Sequence, residues 1–215
     1  MKLMHVDASP KSARSNSRGL AQFFLRHLRE QVPALDVDYL DLAVDTPPHT
    51  TEAFAIATYT PEEERTAEMR ATLAQSDRLC RRLLDADALL FAMPMYNFSI
   101  PSAFKAFIDA IVRTNVTYKV TPLGGYEGQL ARQKVLFITS RGADLRPGGP
   151  FEAYDALTPS LRAAFGFLGV TQPWFVDAQP LQFADQPARE AALRRAEAEL
   201  VAVAAEWGAR IRAAA

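Results

Sequence analysis

Short, continuously apolar runs alternate along this chain with longer stretches whose apolar residues recur every three or four positions. The first run, Leu3 to Val6, reads as a strand. Leu20, Phe23, Phe24 and Leu28 then fall on one face of a helix over Ser17 to Gln31. Val37-Asp38-Tyr39-Leu40 alternates, as a more exposed strand does. Prolines and threonines break the pattern over 43–61 and predict a long surface excursion. Thr60-Pro61-Glu62-Glu63-Glu64 combines an N-cap, a first-turn proline and acids suited to the positive helix end. A helix is therefore predicted from about Pro61 to Leu84.

Ala88 to Ala92 and Val135 to Ile138 are apolar at every position, the signature of central parallel strands buried on both faces. Between them, a helix starting near Pro101 carries Phe104, Phe107, Ile108 and Ile111. Leu161, Phe165 and Leu168 stripe the next helix, and Val170 to Val176 reads as the last strand. Leu193, Leu200, Val203, Trp207 and Ile211 stripe a terminal helix. The alternation predicts an α/β fold: a doubly wound, five-stranded parallel sheet with helices on both faces, in one domain over 1–215. Such sheets bind ligands beyond the carboxyl ends of their strands, at the switch point. The loops after the first, third and fourth strands therefore matter most.

Composition narrows the choice of partners. Lys+Arg number 24 against Asp+Glu 25 in 215 residues. That balance speaks against a nucleic-acid binder and against an acidic carrier that docks by charge. A single cysteine, Cys80, excludes a disulfide framework and a Cys-cluster metal site, and it reads as a packing residue. His5, His27 and His49 are too scattered for a metal site. Lys105, Asp109 and Arg113, at i, i+4 spacing, read as surface pairs. The start, Met1 to Asp7, is too short an apolar run for a signal peptide, and nothing approaches the roughly 18 apolar residues of a membrane span. A cytoplasmic protein without a membrane partner is expected.

Three loops carry chemistry. Asp7 to Ser17 is dense in hydroxyls, includes Lys11 and Arg14, and opens a helix. A helix N-terminus with serine donors suits a phosphate, although the loop has neither Walker A nor dinucleotide-type glycines. The plain alternative is a polar loop capped by Ser15 or Ser17. Met93 to Pro101 places Asn97 between Tyr96 and Phe98, with Met95 beside them. Such a loop can pack on a flat ring and read its edge with an amide, or simply cover the sheet end. Thr139-Ser140-Arg141-Gly142-Ala143 is a glycine turn whose backbone N–H groups can stabilise developing negative charge, or an ordinary strand ending. Jointly, the loops imply a ligand with a terminal phosphate and a flat heteroaromatic ring: FMN.

These residues resemble the FMN-dependent NADH-azoreductases, also called NADH:quinone oxidoreductases. The segment PMYNFSIPSAFKAFID, Pro94 to Asp109, is similar to that family's most specific signature. Val116-Thr117-Tyr118, Gly125 to Gly128, Ser140-Arg141-Gly142 and the spacing of Ser9, Ser15 and Ser17 extend the likeness over essentially the whole chain. The resemblance implies a flavodoxin-like fold with sheet order 2-1-3-4-5 and a homodimer. It implies that Ser9, Ser15, Asn16 and Ser17 hold the phosphate and that Met95, Tyr96, Asn97 and Phe98 contact the ring. Ser140, Arg141 and Gly142 would complete the pocket. Ala143 stands where the family often has a second glycine. Tyr118, Tyr126 and Phe151 are candidates for the substrate wall, within the chain or across a dimer interface. NADH would reduce the flavin and leave before a quinone or azo compound takes the electrons, a ping-pong scheme without a catalytic side chain. NADPH stays open as a donor. Arg141 is a candidate cation beside the reduced ring. The competing reading is a flavodoxin-like electron carrier that binds FMN and has no substrate site. The segments near 43–61 and 114–130 are expected to supply pocket walls and dimer contacts.

Overall fold

The computed structural model describes residues 1–213, with side chains through Arg210. Ile211, the last predicted core position, lies outside the described side chains. Five parallel strands form one sheet: β1 (Lys2–Asp7), β2 (Asp36–Asp41), β3 (Ala88–Pro94), β6 (Lys134–Ser140) and β7 (Trp174–Ala178). Their order is β2-β1-β3-β6-β7, the predicted 2-1-3-4-5 arrangement once a small hairpin is set aside. That hairpin, β4 (Tyr118–Val120) with β5 (Tyr126–Gly128), is antiparallel and separate.

Side chains alternate strictly through the central strands. Met4, Val6, Leu89, Phe91, Met93, Val135 and Phe137 enter one core, with α3 (Ala67–Asp85), α4 (Ser102–Ile111) and α5 (Leu157–Phe167). Leu3, Ala88, Leu90, Ala92, Leu136 and Ile138 enter the other, with α1 (Asn16–Gln31) and α6 (Gln186–Ala213). Runs apolar at every position are thus explained by cover on both faces. Phe91 centres the first core, its ring 4.9 to 6.1 Å from those of Phe104, Phe107, Phe137 and Phe165.

The ladder continues past the strand ends and ties the loops together. The amide of Leu42 donates to the Asp7 carbonyl at 2.8 Å and that of Ala8 to Ala92 at 2.9 Å. Met95 donates to Ser140 at 2.9 Å and Arg141 to Ala178 at 3.0 Å. Beneath the first loop, the Arg18 guanidinium donates to both Asp41 oxygens at 2.8 and 2.6 Å, to Asp7 at 3.3 Å, and to the Ser9 carbonyl at 2.7 Å. The Tyr39 hydroxyl donates to Asp7 at 2.9 Å. Arg18 holds the Asp41 carboxyl below the usual range. Burial, then the neighbouring Asp7 charge, pushes the Tyr39 phenol up to about 12.

Several elements differ from the sequence expectation. The 43–61 stretch contains α2 (Glu52–Tyr59), capped by the Thr51 hydroxyl, which accepts from Phe54 N at 3.2 Å. The following helix starts at Ala67, because the Thr66 hydroxyl accepts from Met69 N while Arg65 is extended. Glu62–Glu64 makes only a single tight turn. The last strand begins at Trp174, after the left-handed Gly169 (φ 100°) and Pro173. Gly128 packs backbone against backbone on the end of α5; a Cβ there would lie 2.0 Å from the Leu168 carbonyl carbon. Lys105 and Asp109 do pair on the surface at 2.5 Å, but Arg113 is fully buried. It lies beyond the end of α4, where it bonds Ser76, pairs with Asp77 at 3.0 Å and lies over the Phe54 ring. Cys80 is buried beside it, and burial pushes its thiol up to about 11.

Two stability predictions follow from this packing. Phe91→Ala empties the centre of the aromatic core and should cost about 3–5 kcal/mol in denaturant unfolding; a loss below about 1 kcal/mol would refute its central place. Tyr39 has a raised folded pKa, so its contribution is complete below the unfolded value near 10 and is lost as pH rises towards about 12. The unfolding midpoint should fall more steeply between pH 10 and 12 in the native protein than in Tyr39→Phe. Parallel curves would remove the Asp7–Tyr39 bond from the account.

Candidate functional site

The three loops converge on one cavity of about 400 Å³ at the carboxyl edge of the sheet. That volume lies within the range of small-molecule and cofactor sites. Ser9, Lys11, Arg14, Ser15 and Asn16 line one part of it. Pro94, Met95, Tyr96, Asn97 and Phe98 line a second, and Ser140, Arg141, Gly142 and Ala143 a third. Of the twelve predicted cofactor residues, all but Ser17 line the cavity. Ser17 is fully buried behind it, its hydroxyl 3.2 Å from that of Ser15.

The first loop brings hydroxyls, two cations and a helix start to one side of the cavity. Ser15 caps α1, its hydroxyl accepting from Arg18 N at 3.3 Å. The first-turn amides of α1 have no preceding turn to supply carbonyls. The Ser9 hydroxyl accepts from Lys11 N at 3.3 Å and keeps its own proton to donate. Among the described residues, Lys11, Arg14 and Arg189 have no carboxylate partner, and no acid lines the cavity.

The second loop is a tight turn. Tyr96 and Ser99 exchange backbone hydrogen bonds at 3.1 and 3.0 Å, with Asn97 and Phe98 left-handed at φ 47° and 68°. Asn tolerates that conformation; Phe does not, at a cost of order 1–3 kcal/mol. The strain is held by Ala156 N, which donates to the Phe98 carbonyl at 3.0 Å. The Asn97 amide makes no hydrogen bond within the described chain, and it stands in the cavity beside a half-exposed Phe98. An unspent amide between a thioether and aromatic rings suits the edge of a flat heteroaromatic ring.

The third loop contributes backbone. Arg141 lines the cavity, yet its guanidinium is spent elsewhere. It donates to Asp155 at 2.8 Å, Asp177 at 3.1 Å, Thr139 at 2.9 Å and Thr158 at 2.8 Å. Burial raises the Asp155 carboxyl, but hydrogen bonds from Thr158 and Arg141 outweigh it and hold it below the usual range. Arg141 is therefore a staple joining β6, β7 and the start of α5, and its charge is already compensated. The amides of Gly142 and Ala143 have no acceptor within the described chain and remain available as donors.

The predicted substrate wall does not form in the chain's own cavity. Tyr118 and Tyr126 pack on Phe167, with ring centroids 4.7 and 5.3 Å away. Phe167 ends α5, whose start is tied to Phe98, so these tyrosines sit roughly 16 Å away at 1.5 Å per residue. Phe151 is closer: its ring neighbours Tyr154, which neighbours Phe98 at 5.3 Å, outside the cavity lining. Neither 43–61 nor 114–130 lines the cavity. Sequence reasoning missed a fourth wall, Leu145 with Leu181, Gln182 and Phe183 from the segment between β7 and α6 and Arg189 from the first turn of α6. The signal was Phe183, a lone aromatic in a polar loop.

The chain matches the flavodoxin-like fold family over residues 1–202. It is 40% identical over 206 residues to an FMN-dependent NADH:quinone oxidoreductase from a Nostoc species, covering 95% of this chain and 99% of that protein. It is also 40% identical over 183 residues to an FMN-dependent NAD(P)H:quinone oxidoreductase 1 from Pseudomonas aeruginosa, covering 83% and 86%. In structure it is similar to an FMN-dependent NADH-azoreductase from Bacillus anthracis solved in complex with FMN. That likeness has a TM-score of 0.85, 23% identity, and 97% and 100% coverage, and it bears on the fold. On sequence and architecture together, the chain belongs to the flavodoxin-like fold family, among the FMN-dependent NADH:quinone oxidoreductases.

Proposed function

We propose that this protein binds FMN in the cavity at the carboxyl edge of its sheet and uses it to pass electrons from NADH to quinones and aromatic azo compounds. The observation that carries the reading is the polarity of that one cavity. Unpaired cations and serine hydroxyls stand at a helix start, while an unspent amide and aromatic rings stand on the strained turn. The sequence relatives named for FMN and quinones support the same reading.

Each loop has a task. Lys11, Arg14, Ser9 and Ser15 hold the phosphate, with Ser17 fixing Ser15 from behind. Met95 and Phe98 pack on the ring, and Asn97 reads its edge. Bound FMN supplies the hydride chemistry. The free amides of Gly142 and Ala143 stabilise negative charge that develops on the cofactor's polar edge. No side-chain nucleophile is needed, so the site's work is to bind, orient and offset charge. The aromatic rim of Phe98, Tyr154 and Phe151 suits a flat acceptor or the apolar face of a second copy. We take the working form to be a homodimer of this one-domain chain in the cytoplasm. No described helix is long and apolar enough to cross a membrane.

The purified protein should be yellow, or become so with FMN, and should oxidise NADH with menadione or methyl red as acceptor. FMN binding without turnover would mark an electron carrier; no FMN binding would overturn the proposal altogether. Asn97→Gly removes the amide without strain at φ 47°, and Asn97→Ala removes it with strain. Both should weaken FMN binding by about 1–3 kcal/mol, read by flavin fluorescence quenching, while only the alanine variant loses thermal stability. Native FMN affinity in Asn97→Gly would deny the amide its role.

A further inference from the structure

We infer that the segment joining β7 to α6, together with the first turn of α6, docks the ADP half of the nicotinamide donor, with Phe183 stacking on the adenine and Arg189 meeting the diphosphate. The inference rests on the FMN and NADH reading above. A donor whose nicotinamide reaches the flavin must place its ADP half on the rim, because FMN would occupy the cavity that the three loops share.

Two rims are available. The side of Phe98, Tyr154 and Phe151 is aromatic and offers no cation within these contacts. The other side, residues 181–189, presents both groups that an adenosine diphosphate requires. Phe183 is 81% exposed, yet it is not loosely placed. Its amide donates to the Gly142 carbonyl at 3.1 Å, beside Leu181, which donates to the Arg141 and Gly142 carbonyls at 3.0 and 3.1 Å. The ring rests against Gly142, where an added Cβ would meet its edge at 3.0 Å, and most of it stays open to solvent. Burial in the chain's own core does not explain an aromatic fixed by its backbone and left bare at a cavity mouth; a stacking partner does.

Arg189 lies in the first turn of α6 and reaches back 173 residues to Asn16 Oδ1 at 3.5 Å. Among the described residues it has no carboxylate partner. Lys11 and Arg14 face the FMN phosphate from the loop itself, so Arg189, standing on a different element, is the cation placed to serve a second anionic group. Arginine suits diphosphate oxygens because its planar fork can donate twice.

The test compares NADH with reduced nicotinamide mononucleotide, which carries the same hydride and lacks the ADP half. Phe183→Ala and Arg189→Ala are assayed as FMN-saturated enzymes with menadione in excess. The ratio of kcat/KM for NADH to that for the mononucleotide should fall about tenfold in each variant, the loss carried by the KM for NADH. ADP-ribose binding to the FMN-loaded protein, measured by calorimetry, should weaken in step. An unchanged ratio, or an equal loss with both donors, would overturn the inference. Failure of the native protein to bind FMN or oxidise either donor would instead overturn the proposed function beneath it.

Discussion

The sheet's hydrogen-bond ladder does not stop where the strands stop, and the rest of the site depends on that. The amides of Ala8, Met95 and Arg141 each bond to a carbonyl at or near the end of the next strand, at 2.9 to 3.0 Å. Each of the three loops is therefore hooked to the neighbouring strand by the first residue after its own strand. The loops diverge only after leaving a common edge, so their side chains face one another across one cavity. A parallel sheet with both faces covered makes that edge rigid, because a one-residue slip would exchange the two cores. The packing of Phe91 and the placement of Asn97 at the cavity are thus linked through strand register.

Charge is arranged in layers around this edge. Arg18 and Arg141, one beneath each outer loop, are compensated by carboxylates and act as braces. Among the described residues, Lys11, Arg14 and Arg189 have no carboxylate partner, and they line the cavity. The division explains how a chain of net charge -1 has a cavity lined by cations and by no acid. Its acids are spent on the braces and the outer surface. Strain is placed in the same way: Phe98 at φ 68° is tolerated because Ala156 and Ser99 hold the turn. The fold's stability keeps an aromatic ring at the cavity wall in a conformation it would not adopt alone.

Much of this was legible in the sequence. The runs at Ala88–Ala92 and Val135–Ile138 report burial on two faces directly, and every predicted cofactor residue proved to be at or just behind the cavity. What stayed hidden depends on contacts distant in sequence. Arg113 follows the i, i+4 pattern of a surface pair, but α3 and α2 close over it and supply Ser76, Asp77 and Phe54. Arg141 reads as a free cation until Asp155 and Asp177 are brought to it from other elements. Tyr118 and Tyr126 lie in a segment that folds back on the end of α5, a direction set by the close approach of Gly128 and Leu168. α2 escaped notice because prolines flank it and its apolar residues lack a clear face.

The central claim is that separate loops form one cofactor site through a shared sheet edge. Amide hydrogen exchange with and without FMN tests it most directly. Protection should rise together in the peptides covering 9–17, 95–99, 140–143 and 181–183, with little change around 118–128. Protection confined to a single loop, or centred on the β4–β5 hairpin, would contradict the account.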